Sequence, residues 1–314
     1  MSRNGWTSAD APDQSGRVAV VTGASAGLGL ATTTVLAARG ATVVMACRDV
    51  AKGERVAERI RAANEHADVR VVRLDLASLA SVREAAAELR SAHPRIDLLI
   101  NNAGVMAVPY QRTEDGFEVT LATNHLGHFA LTGLLLERVL ATAGSRIVTV
   151  SSNAHKRGAI RFDDLQSERG YDPEAAYAQS KLANLLFTAE LETRLEGAAA
   201  GTIALAAHPG NVRTGLWRTS SRLERLVIGA RVGKLTSWLA QDVQVGALPT
   251  LRAALDPSAR GGDYFGPAGR FEYTGLPIRV EPSPAAREEG ARRQLWDASE
   301  ALTGVTYRLG AAAA

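Results

Sequence analysis

Two side chains in the stretch "AYAQSKLAN" have the types and spacing that proton transfer needs. Tyr177 and Lys181 stand at i and i+4, so on a helix a phenol and an ammonium group project from one face. A phenol titrates near pH ~10, and about 4 kcal/mol of preferential phenolate stabilisation would bring it to half ionisation near pH 7. A neighbouring ammonium acts in that direction, which makes the tyrosine a candidate general acid or base. The residue types alone also allow a tyrosine packed on the core beside a lysine in water.

A second constellation sits near the N-terminus. "VAVVTGASAGLGLAT" places Gly23, Gly27 and Gly29 where an apolar run gives way to a helical one. Glycine at such a turn lets backbone approach a pyrophosphate, whose charge the helix N-terminus then stabilises. The expected contact surface is the loop Gly23, Ser25, Ala26, Gly27, Leu28 and Gly29. Its spacing is GxxxGxG, unlike the GxGxxG of the usual dinucleotide fingerprint. The next apolar run ends "MACRD", where an NAD site commonly offers a carboxylate to the adenosine ribose. Here Cys47 and Arg48 occupy that place. A guanidinium favours a 2′-phosphate, so NADP(H) is preferred over NAD(H); the alternative makes Arg48 a surface charge and gives the ribose to Asp49. Asp75, followed by Leu76 in "VRLDL", either accepts from the adenine amino group or caps a turn. In "NNAG", Asn102 can tie strands together while Ala103 and Gly104 leave room for a ribose, although Asn and Gly at a strand end also suit an ordinary turn.

The elements that must position these residues are legible as alternation. Apolar runs at "RVAVVTG", "ATVVMAC", "VRVVRLDL", "IDLLINNAG", "SRIVTVSS" and "TIALAAHPG" are of strand length and separated by alanine-rich helical segments. "GGDYFGP" adds a final strand. This pattern predicts an α/β fold: a single doubly wound Rossmann-type domain, a parallel sheet of about seven strands with helices on both faces. The domain is expected over 15–310, after a flexible N-terminal arm at 1–14, with a helical substrate-covering insertion near 211–250.

Composition narrows the function. The 314 residues are 46% hydrophobic and 22% charged, enough for one large domain. A formal net charge of +3 is spread over 36 basic and 33 acidic residues without the cationic run of a nucleic-acid arm. No segment has the ~18 apolar residues of a membrane span, and the N-terminus lacks a signal-peptide pattern. One cysteine, Cys47, excludes an intrachain disulfide and suits a reducing, cytoplasmic setting. His125, His128 and His155 lack metal-ligand spacing, and no metal is expected. Only four of the 36 basic residues are lysine, which makes the retention of Lys181 suggestive.

Taken in order, "TGASAGLG", Asp75, "NNAG", Asn124 in "ATNHLGHFALT", Ser152 in "VTVSS", Tyr177-x-x-x-Lys181 and "HPGNVRT" resemble the short-chain dehydrogenase/reductase family in its classical form. "ACRD", "NHLGHF", "VSSNAH", "SKLAN" and a tail similar to "LWDASEALTGVTY" resemble its retinol-dehydrogenase-like members. As there, the interval from Ser152 to Tyr177 is long, 25 residues.

The resemblance implies an NADP(H)-dependent oxidoreductase interconverting an alcohol and a ketone or aldehyde. It makes Tyr177 the proton donor or acceptor, Lys181 its tuning cation, Ser152 the hydrogen-bond donor to the carbonyl oxygen, and Asn124 part of a water relay past Lys181. Strand alternation and the family's serine favour Ser152 over Ser151. Pro209 and Gly210 would turn over the nicotinamide, with Val212 and Thr214 beside it; His208 is expected to be structural. A hydrophobic small molecule is the expected partner, with Leu216, Trp217, Leu226, Ile228 and Trp238 lining its pocket or packing their segment onto the domain. A homodimer through helices around 118–140 and 175–197 is a further expectation. Two alternatives are a light-dependent protochlorophyllide-reductase-like enzyme, whose pattern includes active-site cysteines, and a non-catalytic NADP-binding sensor or scaffold.

Overall fold

The computed structural model describes residues 5–198, 200–212 and 240–309. Six apolar runs form parallel strands: β1 (Val18–Thr22), β2 (Thr42–Cys47), β3 (Val69–Arg73), β4 (Leu98–Asn101), β5 (Arg146–Val150) and β6 (Ile203–Ala207). β7 (Tyr264–Pro267) continues the parallel set, and β8 (Pro277–Arg279) returns antiparallel to it. The sheet thus has eight strands in the order β3-β2-β1-β4-β5-β6-β7-β8, where about seven were expected. The extra strand is three residues long, and its "PIR" carries no alternation that a sequence reading would register.

Among the described residues, the longer helices that flank it are α1 (Gly27–Ala38), α2 (Val50–Ala63), α3 (Leu79–Ala92), α4 (Gly127–Leu140), α5 (Pro173–Gly197), α6 (Val243–Leu255) and α7 (Glu289–Thr303). Their apolar faces build two cores. Leu36 of α1, Val56 of α2 and Leu251 of α6 pack on one side of the sheet. Val82 of α3, Leu131 of α4 and Phe187 of α5 pack on the other, with Trp296 of α7. Several starts are set by side-chain caps that satisfy free backbone N–H groups: Asp49 for α2, Ser78 for α3, and Asp172 followed by Pro173 for α5.

Strand order reverses between β1 and β4, which opens a crevice at their carboxyl ends. Gly23 follows β1 there, and Asn102 follows β4.

Three expectations need revision or qualification. The N-terminal arm is not free from Gly5 onward: Thr7 and Asp10 form a reciprocal cap, and Arg39 Nη2 donates to Ser8 O at 2.8 Å. Gln14 N donates to Arg39 O at 2.7 Å, and Ala11 and Gln14 are buried. Polar composition masked this docking, because its partners lie on another element. Of the insertion near 211–250, residues from Val243 onward belong to α6, a sheet-packing helix. Thr214, Leu216, Trp217, Leu226, Ile228 and Trp238 lie outside the described residues.

The helix expected at 175–197 also packs within the one chain. Every residue of α5 from Ala178 to Thr188 is buried within the one chain. Trp296 of α7 stacks on Phe187 at 5.9 Å, Arg194 lies over Trp296 at 4.3 Å, and Tyr307 in the C-terminal tail donates to Phe129 O at 2.6 Å.

Candidate active site

The glycine turn after β1 is as tight as the chemistry of a phosphate cradle requires. Gly23 has φ +67°, and a Cβ there would meet Ala103 at 3.0 Å. A Cβ on Gly29 would lie 2.4 Å from Gly23 O and 2.6 Å from Asn102 Nδ2. α1 begins after Ala26, whose side chain has no oxygen with which to cap it. The first-turn N–H groups are therefore left facing the crevice, where an anion is favoured. Ser25, Ala26, Gly27 and Leu28 lie along this turn and are partly or fully exposed.

The loop is tied to the "NNAG" strand end through Thr22, a residue that the sequence reading did not single out. Thr22 Oγ1 accepts from the backbone N–H groups of Asn102 and Ala103, both at 2.9 Å, and lies 2.9 Å from His128 Nε2. His128 Nδ1 lies 3.1 Å from Asn124 O, a carbonyl that can only accept, so Nδ1 carries the proton. Burial pushes His128 down to about 3, so the ring is neutral and Nε2 accepts from the Thr22 hydroxyl. One network thus joins the phosphate turn, the Asn102–Gly104 rim and Asn124. Its only sequence signal is a polar side chain at the end of an apolar strand.

Asn124 sits in a π-helical segment, Ala122–Leu126, that leads into α4. Such bulges break the regular ladder and concentrate at functional sites. Its Oδ1 accepts from Val105 N at 2.8 Å, and its Nδ2 donates to Val105 O and to Ser180 Oγ, each at 2.9 Å. The fully buried amide is locked in one orientation.

At the end of β5 the two serines diverge. Ser151 is buried and donates to Lys181 O at 2.8 Å. Ser152 is partly exposed, and its hydroxyl acts on the Tyr177 phenol, drawing its pKa down. On α5, Lys181 Nζ donates to Val150 O at 3.0 Å and lies 5.7 Å from the centre of the Tyr177 ring. The structure therefore brings Ser152, Tyr177 and Lys181 together. A Cβ on Gly104 would lie 3.1 Å from Asn124 Oδ1 and 3.4 Å from Lys181 Nζ, so the fourth residue borders the same space.

Burial dominates the electrostatics. It holds the Lys181 ammonium down to about 8. It raises the Tyr177 phenol above its usual range, an effect the Ser152 hydroxyl only partly offsets. The phenol is thus neutral at pH 7, a proton donor at rest.

At the adenosine end, Arg48 is exposed. Asp49 Oδ1 accepts from Lys52 N at 2.9 Å as the cap of α2. Asp75 Oδ1 accepts from Ala77 N at 3.0 Å, the turn arrangement. Leu76 is buried, its carbonyl 2.4 Å from where a Cβ on Gly127 would stand, so the strand end is pressed against α4. Cys47 is buried against Gly53 and Val71. Burial raises its thiol, and nothing aims it at the crevice as a catalytic cysteine.

The chain is similar to known proteins over most of its length. The short chain dehydrogenase family profile matches residues 17–224. This chain belongs to the short-chain dehydrogenase family. Human retinol dehydrogenase 12 is 43% identical over 294 residues, 93% of this chain and 88% of that protein. Mouse retinol dehydrogenase 14 is 42% identical over 303 residues, 92% of this chain and 86% of its own length. The crystal structure of an uncharacterized protein from Mycobacterium paratuberculosis superposes with a TM-score of 0.80 at 44% identity, covering 97% of this chain and all of that one. A protein from Beutenbergia cavernae, described as an NAD(P) dependent gluconate 5-dehydrogenase with NADP bound at low occupancy, gives 0.61 at 27% identity, over 80% of this chain and 95% of its own. The protein is an oxidoreductase acting on alcohols, similar to retinol dehydrogenases.

His155, His208 and His125 of the dehydrogenase act as structural hydrogen-bonding groups. His155 Nδ1 lies 2.6 Å from Ser152 O and its Nε2 accepts from Ser283 N at 3.2 Å, which fixes the backbone under Ser152; burial lowers it to about 4. His208 Nδ1 accepts from Gly210 N at 3.3 Å and Nε2 faces Glu272 at 3.0 Å, an orientation that suits a neutral ring whose pKa burial depresses. His125 Nε2 pairs with Ser299 Oγ at 2.9 Å. No group of three metal-binding side chains converges among the described residues.

After β6, Gly210 takes φ +66°, and a Cβ there would meet Tyr273 O at 2.4 Å. Pro209 O accepts from Gln241 Nε2 at 2.7 Å, and Val212 bridges to Gln241. No helix among the described residues is long and apolar enough to cross a membrane.

Proposed function

We propose that this dehydrogenase is NADP(H)-dependent and interconverts a hydrophobic alcohol with its ketone or aldehyde, Tyr177 acting as general acid in reduction and general base in oxidation. The observation that carries the reading is the convergence of Ser152, Tyr177 and Lys181 at the carboxyl ends of the strands, next to a glycine turn able to receive a pyrophosphate.

The residues present suit a dinucleotide. Gly23, Gly29 and the open N-terminus of α1 would hold the pyrophosphate, Asn102, Ala103 and Gly104 the inner ribose, and Asp75 and Leu76 the adenine. Pro209, Gly210 and Val212 would flank the nicotinamide, with Tyr177 and Lys181 beside it. Arg48, exposed just past the end of β2, favours a 2′-phosphate. The Beutenbergia neighbour, described as NAD(P) dependent, has NADP bound.

The bound nicotinamide supplies or accepts the hydride at the carbonyl carbon. Tyr177, neutral at rest, donates its proton to the carbonyl oxygen, while Ser152 donates a hydrogen bond to the same oxygen and stabilises the charge that develops there. Lys181 keeps a positive charge one turn behind the phenol and stabilises the phenolate that donation leaves. Asn124, held rigid by Val105 and Ser180, lines the route by which water reprotonates the pair.

A hydrophobic substrate accords with the names of the retinol dehydrogenase relatives, retinol being an apolar isoprenoid alcohol. One buried cysteine accords with a cytoplasmic location. The test is NADPH consumption over aliphatic, aromatic and isoprenoid aldehydes, with Ser152→Ala beside the wild type. Loss of the serine donor should lower kcat by about 10²-fold or more. Faster turnover with NADH would overturn the role of Arg48, and no turnover of any carbonyl would overturn the reading as a whole.

A further inference from the structure

The hairpin between β7 and β8 carries two adjacent non-glycine residues in left-handed backbone, Phe271 at φ 58° and Glu272 at φ 57°. Such conformations persist only where surrounding structure over-determines them, and they gather at ligand sites. Here the restraints come from the two segments that flank the reacting centre. Asn153, next to Ser152, donates through Nδ2 to Phe271 O and Glu272 O, both at 3.1 Å. One turn further on, Lys156 Nζ pairs with Glu272 Oε1 at 2.8 Å. From the loop after β6, His208 Nε2 meets Glu272 Oε2 at 3.0 Å, and Asn211 N donates to Tyr273 O at 2.7 Å.

These bonds leave the Phe271 side chain 60% exposed, more than any other large hydrophobic residue among those described. A lone exposed phenylalanine means little. A strained one, clamped from both sides of a catalytic cleft, is another matter. A second exposed aromatic, Tyr110, lies in the loop after β4 and packs edge-on against Tyr171 at 5.2 Å, six residues before Tyr177. Both exposed rings thus belong to loops from the carboxyl ends of strands, the edge where substrates enter such sheets.

We propose that Phe271 is a specificity-determining wall of the substrate site, an apolar surface for the chain or ring that a carbonyl substrate carries away from its reacting carbon. The Lys156–Glu272–His208 clamp positions it. This assignment rests on the carbonyl-reductase reading above. It adds a determinant outside the Tyr-Lys-Ser centre, on a turn far from it in sequence.

The test compares kcat/KM for decanal and for propanal, with NADPH, in the wild type, Phe271→Ala and Phe271→Gly. Loss of the ring should lower the decanal-to-propanal ratio about tenfold, chiefly through KM for decanal, because the apolar contact it supplies scales with the area that the tail buries. Phe271→Gly should show the same loss with a melting temperature no lower than wild type, since glycine adopts this backbone without strain. Glu272→Gln should lower the ratio in the same direction by loosening the clamp. A ratio equal to wild type in both Phe271 variants, with wild type active on decanal, overturns the role of Phe271 alone. A wild type that reduces neither aldehyde overturns the underlying reading and this assignment with it.

Discussion

Thr22→Val is the substitution that most sharply tests how the crevice is held open. Valine matches threonine in shape but removes the hydroxyl, which accepts from Asn102 N and Ala103 N and donates to His128 Nε2. Asn102 N keeps a second acceptor, Ile100 O at 3.0 Å. Ala103 N and His128 Nε2 are left without this partner, and a buried polar group so stranded costs about 1–3 kcal/mol. The two together give a loss of about 2–6 kcal/mol, roughly 4–12 °C in melting temperature for a domain of this size. Thr22→Ser keeps the hydroxyl and removes one methyl group, about 1 kcal/mol. Chemical or thermal denaturation of the three proteins gives the stability difference, and NADPH titration reports whether the Asn102–Gly104 rim moves. The reasoning fails if Thr22→Val is no less stable than Thr22→Ser.

Gly29→Ala should raise the NADPH dissociation constant about 10- to 100-fold by fluorescence titration, because its Cβ would stand 2.4 Å from Gly23 O and overpacking of this kind costs about 1–3 kcal/mol. Arg48→Ala should lower the preference for NADPH over NADH, measured as the ratio of kcat/KM values, by about 10- to 100-fold, the worth of a charge-assisted hydrogen bond. Lys181 should leave its mark on the pH profile: its ammonium is held down to about 8, so turnover that needs the charge declines as pH rises through that value. Stability moves the other way. The unfolded lysine titrates near 10.5, so the folded state carries its full penalty below pH 8 and is relieved of it as pH climbs toward 10.5. A rate that falls while the melting temperature holds or rises over that range is the expected signature.

What the sequence disclosed follows from what is local. Most strands of the sheet are buried on both faces and read as continuous apolar runs, so β1 to β6 were legible as strands of a parallel sheet. The glycine turn and the Tyr177–Lys181 pair were legible because their geometry is set within a few residues. Thr22 was not, since its importance lies in partners 80 and 106 positions away. The clamp on Glu272 escaped for the same reason, with Lys156 116 positions distant. The docked N-terminal segment looked like a mobile arm because its polar composition gives no sign of Arg39 waiting for its carbonyls. The tuning of Tyr177 also differs in balance from the expectation: proximity of an ammonium is readable from spacing, whereas the burial that keeps the phenol protonated is a property of the packed cleft.

The most direct test of the account separates binding from proton transfer at Tyr177. Tyr177→Phe removes one oxygen from a ring that is already half-buried, so the variant should fold and retain most of its NADPH affinity by fluorescence titration. Its kcat for aldehyde reduction should fall about 10³-fold, within the range a positioned general acid contributes. A variant that binds NADPH and reduces the aldehyde at the wild-type rate would contradict the claim that the phenol delivers the proton.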